Sequence, residues 1–184
     1  MSFLNIYQAD TPNQVKQSIQ DAELIQSTLA DKGVRFERWQ ANAPITTGAD
    51  PVNILTAYDK EIQRLKQESG FQTADVICLT PEHPDKAALR AKFLSEHIHS
   101  EDEVRFFVQG SGLFYMHLED EVFVVGCEKD DLISVPAGTK HWFDMGDTPD
   151  FTCIRLFTNP DGWVAQYTED NIADSFPRFE DLQA

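Results

Sequence analysis

The stretch EHIHSEDEVRFFVQG, residues 96–110, holds two histidines one residue apart and three carboxylates close behind them. In a β-strand alternate side chains share a face, so His97 and His99 lie side by side while Ile98 faces the other way. Two imidazoles on one buried face need a partner that engages both, and a divalent metal does so. Ser100-Glu101-Asp102 can form a turn, which returns Glu103 toward the histidines from the next strand. A second stretch, VPAGTKHWF, follows a tight Pro136-x-Gly138 turn with His141 at the start of another strand. Three imidazoles and one carboxylate suit Fe, Ni, Mn, Co or Zn, and an octahedral ion on four such ligands keeps two adjacent positions for a chelating substrate.

His83 and His117 have no partner at ligand spacing and read as structural or solvated. Glu101 and Asp102 read as turn residues. Glu96 precedes His97 and points away from it. Strand alternation places Arg105 and Phe107 on the face of Glu103. An arginine facing a barrel interior is costly unless it is paired or used. Arg155 interrupts FTCIRLF, an otherwise apolar strand, and raises the same question. Beside a metal, both arginines would favour an anionic substrate. Phe93, Phe107, Phe143 and Trp163 are candidates for an apolar pocket wall.

The elements that position these residues follow from pattern. FLNIYQ, residues 3–8, reads as a strand. Thr11-Pro12 is expected to open a helix with Val15, Ile19, Ala22, Ile25 and Leu29 on one face and Gly33 as its stop. VRFERW, 34–39, alternates like a strand. Asp50-Pro51 opens a second helix that closes at Gly70. ADVICLT, 74–80, reads as a buried strand, and 84–93 as a short helix. From residue 93 the pattern changes to short runs at 93–99, 103–109, 112–118, 121–126, 131–135, 140–145 and 151–158, punctuated by glycines. This is the pattern of an antiparallel sandwich or barrel. The fold class is therefore mainly β, a barrel with helices added on its N-terminal side. Residues 168–184 read as a loosely packed tail.

Composition bounds the rest. A chain of 184 residues, 41% apolar with thirteen Phe and three Trp, supports one well-packed domain. No apolar run approaches the ~20 residues that span a bilayer. The N-terminus MSFLNIYQADTPNQ lacks the basic start and apolar core of a signal peptide, which makes the cytoplasm the expected location. The net charge of −16 disfavours nucleic acid and anionic membranes as partners. Cys78, Cys127 and Cys153 are widely spaced, with no C-x-x-C pair, and read as reduced thiols in apolar surroundings. There is no G-x-S-x-G, no P-loop and no Cys beside a His, so nucleophilic and phosphate-cradling chemistry have no motif to rest on.

The two metal stretches together resemble the cupin signature, G-x5-H-x-H-x3,4-E-x6-G followed by G-x5-P-x-G-x2-H-x3-N. His97, His99, Glu103 and Gly110 fit its first part, and Pro136, Gly138 and His141 its second. Ala91 and Asp130 stand where the signature has Gly, and Met145 where it has Asn. The resemblance implies a cupin-type antiparallel β-barrel, a double-stranded β-helix or jelly roll. It implies one cupin domain over 1–184, with 1–92 packed on the barrel, 93–167 forming the metal-binding core, and 168–184 the tail. More narrowly, FLSEHIHSEDEVRFFVQGSGLFYMHL, LISVPAGTKHWFDMG and RLFTNPDGWVAQY resemble the acireductone dioxygenase family of methionine salvage.

That resemblance implies a dioxygenase acting on 1,2-dihydroxy-3-oxo-5-methylthiopentene and O2. It implies one Fe(II) or Ni(II) per chain, held by His97, His99, Glu103 and His141, with Arg105 near the substrate; Arg155, from its place in an apolar strand, is a further catalytic candidate. With Fe(II) the implied products are formate and 2-oxo-4-methylthiobutanoate. With Ni(II) they are formate, carbon monoxide and 3-methylthiopropanoate. Two other classes compete: another cupin dioxygenase or isomerase, and a non-catalytic metal-binding sensor. A monomer is expected.

Overall fold

Strands β6 to β9 are buried on both faces, so simple alternation is lost in the middle of the chain. The computed structural model describes residues 1–45, 48–159 and 164–182 and shows why. In chain order the elements are β1 (Phe3–Gln8), β2 (Val15–Ile19), α1 (Ala22–Ala30), β3 (Arg35–Arg38), α2 (Pro51–Ala57), α3 (Asp59–Ser69), β4 (Thr73–Leu79) and α4 (Lys86–Leu94). Then come β5 (His97–Ile98), β6 (Glu103–Gln109), β7 (Ser111–Leu118), β8 (Glu121–Glu128), β9 (Asp131–Val135), β10 (Lys140–Asp144), β11 (Phe151–Phe157), β12 (Gln166–Tyr167) and α5 (Phe179–Leu182). Seven strands form one sheet in the order β12-β5-β10-β7-β8-β1-β2, and five form a second in the order β3-β9-β6-β11-β4. Every neighbouring pair is antiparallel.

Three apolar clusters hold this arrangement. Leu4, Ile6, Phe107, Phe114, Met116, Phe143, Phe151 and Cys153 belong to the cluster enclosed by the two sheets. Tyr58, Ile62 and Leu65 of the helical region cover the outer face of the five-stranded sheet at Val104, Phe106 and Ile154. Ala173 and Phe176 cover the outer face of the seven-stranded sheet at Tyr7, Tyr115 and Trp142. The architecture is the antiparallel β fold of the cupins, as expected.

Local details differ from the sequence reading. The segment expected as one helix from Thr11 is a β-hairpin followed by a helix: β2 pairs with β1, with Leu4 opposite Ile19. Asp21, not Thr11, caps α1, its side chain accepting from Leu24 N at 2.9 Å. The sheet edge offered residues 15–19 backbone partners that a helix would have denied to β1. The second helix breaks at Tyr58 (φ −110°) into α2 and α3, and Gly70 closes α3 in the left-handed conformation (φ +79°). β4 lies at a sheet edge and is half-exposed rather than buried, and Cys78 on it is exposed. The run 93–99 gives only a two-residue strand, because α4 continues through Leu94.

The tail is also not loose. Phe176 is 3% exposed, with its ring 5.6 Å from Tyr7 and 5.8 Å from Trp142. Burial of one such ring contributes about 2 kcal/mol. Asp144, fully buried, binds Arg90 of α4 through both oxygens (2.7 and 3.0 Å) and accepts from Phe179 N at 2.9 Å. The C-terminal segment is thereby fastened to β10 and α4.

Candidate metal centre

β5 is two residues long and carries the first histidine of the pair, with the second immediately beyond it. It is held between β10, where His97 stands opposite His141, and β12, where Ile98 stands opposite Gln166 and His97 opposite Tyr167. The turn before His141 is bound to the turn after His99. Gly138 N donates to His99 O at 2.9 Å, and Ala137 N donates to the Asp102 carboxylate at 2.9 Å. Gly138 has φ +76°, which suits the glycine found there. Asp102 is thus more than a turn residue: it ties the two signature loops together. Asp130, where the signature has Gly, takes φ +76° itself, a conformation that Asp tolerates better than most residues.

His97, His99, Glu103 and His141 are all buried, and one ligand atom from each lies within 4.8 Å of all the others. His97 Nδ1 lies 2.7 Å from Ser95 O and His141 Nδ1 lies 2.7 Å from Thr139 O. A carbonyl only accepts, so each Nδ1 carries the proton and each Nε2 keeps its lone pair for the centre. His99 Nε2 and His141 Nε2 approach the same Glu103 oxygen, Oε2, at 2.9 and 3.0 Å. Burial pushes the His97 imidazole down to about 4, and neighbouring His141 pushes the same way, so His97 is neutral at pH 7. Burial alone would raise the Glu103 carboxyl. The Arg105 charge beside it instead holds it well below the usual carboxylate range.

This donor set fits a divalent transition metal. With bonds of about 2.1 Å, opposite ligand atoms of one ion sit about 4.2 Å apart, close to the 4.8 Å span found. Three imidazoles and one carboxylate are ligands of borderline softness, suited to Fe, Ni or Zn.

Arg105 Nε lies 2.8 Å from the other Glu103 oxygen, Oε1. Its guanidinium carbon lies 4.7 Å from the Phe143 ring centre, 5.5 Å from Phe93 and 5.7 Å from Phe114. Phe143 in turn needs Gly112, where a Cβ would fall 2.4 Å from its ring. Arg155 stands directly opposite Arg105 across β6 and β11 and is bound to Asp75 by two contacts, 2.9 and 2.6 Å. The structure therefore brings Phe93 and Phe143 to Arg105. Phe107 is fully buried deeper in the barrel, 6.2 Å from the Phe151 ring, and Trp163 lies outside the described residues.

Glu96, His117, Thr168 and Tyr167 also lie near the centre, and spacing in sequence does not join them. Glu96 is 1% exposed on the back of the sheet. His117, read above as structural or solvated, lies 2.7 Å from Glu96 through Nδ1, and Thr168 Oγ1 donates to the other Glu96 oxygen at 2.5 Å. Their sequence separations of 21 and 72 become contacts only once the strand order is known. Tyr167 packs edge-on against His97 at 5.9 Å. His83 accepts from Asp85 N in a local turn and takes no part.

The chain is similar to known proteins over nearly its whole length. The model of the ARD/ARD' family matches residues 4–165. The chain is 58% identical over 181 residues to an acireductone dioxygenase of Pseudomonas aeruginosa (strain UCBPP-PA14), covering 98% of this chain and 100% of the relative. It is 59% identical over 182 residues to an acireductone dioxygenase of Hahella chejuensis (strain KCTC 2396), covering 99% and 98%. Among solved structures, an acireductone dioxygenase from Bacillus anthracis with a cadmium ion in its active centre superposes with a TM-score of 0.79 at 31% identity, over 91% of this chain and 98% of that one.

Proposed function

Since the chain belongs to the acireductone dioxygenase family and is a metal-dependent dioxygenase acting on an acireductone and O2, we propose that His97, His99, Glu103 and His141 are the ligands of its single Fe(II) or Ni(II). The observation that carries this assignment is the convergence of four buried ligand atoms within 4.8 Å. When bound, the metal would supply a Lewis acid and a template for the enediolate.

The chain's own residues do the rest. Glu103 is kept ionised and is held from behind through Oε1, so Oε2 is presented to the centre. The Nδ1–carbonyl bonds of His97 and His141 fix their rings before substrate arrives. Arg105 places a positive charge beside the ligands, fixed by Glu103 and three aromatic rings, and so needs little reorganisation as charge develops. That charge favours the doubly deprotonated enediol. Arg155, opposite Arg105 on the neighbouring strand, is held by Asp75, which offsets its charge. Phe93 and Phe143, whose rings lie against Arg105, form the apolar wall that receives the methylthio end of the substrate. The methionine precursor is the product with Fe(II), and carbon monoxide accompanies the Ni(II) reaction.

The reading extends to a single cupin domain over 1–184, with 93–167 as its metal-binding core. It also extends to a cytoplasmic monomer with neither nucleic acid nor membrane as partner. The net charge of −16 supports the last point, and among the described residues no helix is long and apolar enough to cross a membrane. The test is oxygen uptake by metal-loaded protein offered acireductone, a flavonol or a thiol. Rapid uptake with acireductone alone is expected. Uptake only with one of the others would move the activity to a different cupin dioxygenase, and none at all would favour a sensor.

A further inference from the structure

We propose that Glu96 is a positioning residue for the metal centre, which locks the ligand-bearing strand from the back of the sheet through His117 and Thr168. The proposal rests on His97 and His99 being ligands. It assigns a function to a buried carboxylate that the chemistry above does not use.

β5 has little of its own to hold it. It is two residues long, with one register pair to β10 and two to β12. A productive metal site tolerates only about 0.5 Å and 10–20° of error in its ligands. Rotation of the chain at residue 96 would carry His97 with it, because the two side chains leave adjacent Cα atoms on opposite faces.

Glu96 opposes that rotation from two sides. Its Oε1 meets His117 Nδ1 at 2.7 Å, and His117 belongs to β7, beyond the intervening β10 and paired along its length with β8. Its Oε2 accepts from Thr168 Oγ1 at 2.5 Å, and its main-chain oxygen accepts from Thr168 N at 3.1 Å. Thr168 follows β12 directly, on the segment that Ala173 and Phe176 fasten to the sheet. One carboxylate therefore ties β5 both to the middle of the sheet and to the C-terminal segment.

Packing alone does not call for a carboxylate here. The rest of this outer face is covered by Tyr7, Tyr115, Trp142 and Phe176, and an apolar side chain among them would avoid the cost of desolvating a charge. What the carboxylate adds is direction: two charge-assisted hydrogen bonds at fixed angles. Groups hydrogen-bonded directly to metal ligands cost about 10–100-fold in metal affinity when removed, and a tie one residue from the ligand acts at the lower end of that scale.

The experiment loads the full chain with Co(II) and follows both its visible spectrum and its rate of release to EDTA. The variants are Glu96→Ala, Thr168→Val, Thr168→Ser, His141→Ala and Ile62→Ala. Ile62 packs on the far face of the other sheet and serves as a control for lost stability alone. The expected result is release faster by about 10-fold in Glu96→Ala, the lower end of the scale for directly bonded partners, a smaller acceleration in Thr168→Val, and rescue in Thr168→Ser. The Co(II) bands should shift in the first two and not in Ile62→Ala. If Ile62→Ala releases metal as fast as Glu96→Ala, or if both Glu96→Ala and Thr168→Val keep the wild-type rate and spectrum, the proposal is overturned. Should Glu96→Ala fail to fold, the contrast between Val and Ser at 168 decides. His141→Ala separates the two levels: full Co(II) retention there would sink the ligand reading itself, whereas its loss alongside unaltered Glu96 and Thr168 variants would sink only the clasp.

Discussion

Arg105 and Glu103 meet through Arg105 Nε and Glu103 Oε1 at 2.8 Å, while the second oxygen of the same carboxylate faces His99 and His141. The two oxygens thus have different partners, and in the proposed centre the arginine supports a ligand as well as presenting charge toward the substrate.

From this arrangement, Arg105→Ala should still fill with metal when the ion is supplied in excess, because three imidazoles and Glu103 remain. Its kcat/KM should fall by about 10²-fold or more, the scale of a lost electrostatic stabiliser. Arg105→Lys should recover only part, since an ammonium lacks the planar fork that can hold Glu103 and substrate together. Wild-type kinetics in Arg105→Ala would leave the residue as an ion-pair partner and nothing more.

The four-residue centre should behave as a unit. Replacing His97, His99 or His141 by Ala should lower the metal content measured by elemental analysis and remove most turnover. His141 tests the assignment most directly, because it lies 38 residues from Glu103 in sequence and meets it only through the fold. Normal metal and normal turnover in His141→Ala would end the assignment.

Metal should also stabilise the fold, because its proposed ligands join β5, β6 and β10, which belong to both sheets. A ligand of the native state at 100 times its Kd adds about 2.7 kcal/mol. Stripped protein should therefore melt at a clearly lower temperature than reloaded protein in calorimetry. Coincident melting curves at saturating Fe(II) or Ni(II) would contradict a preformed site.

Much of this centre could be read from sequence because its determinants are local. The spacing of His97, His99 and Glu103 needs only strand parity and a turn, and Pro136 and Gly138 mark the turn before His141. What escaped depends on strand order. Glu96 and His117 sit on the outer faces of strands that are neighbours only through β10, and nothing in either segment announces that. The helix expected from Thr11 failed for the same reason: residues 15–19 have a helical stripe, but the unpaired edge of β1 gave them a better set of backbone partners. The tail misled because its anchors, Ala173 and Phe176, are two apolar residues among many polar ones, and their value comes from the face they cover.

The last prediction concerns which metal the chain carries and what it then makes. A centre of three imidazoles and one carboxylate discriminates weakly between Fe(II) and Ni(II). On the general order of affinities Ni(II) binds more tightly, so supply as well as affinity sets occupancy. The four residues that converge, three imidazoles and one carboxylate, suit either ion. A difference in products would therefore arise in how the substrate is held beside the metal, with Arg105 and the rings of Phe93 and Phe143 as the nearest fixed surroundings. Protein stripped and reloaded with Fe(II) should give formate and the 2-oxo acid. Protein reloaded with Ni(II) should give formate, carbon monoxide and the shorter acid. Carbon monoxide detection with quantified formate checks this on one preparation. Identical product mixtures from the two forms would refute metal-directed cleavage in this protein while leaving its dioxygenase activity intact.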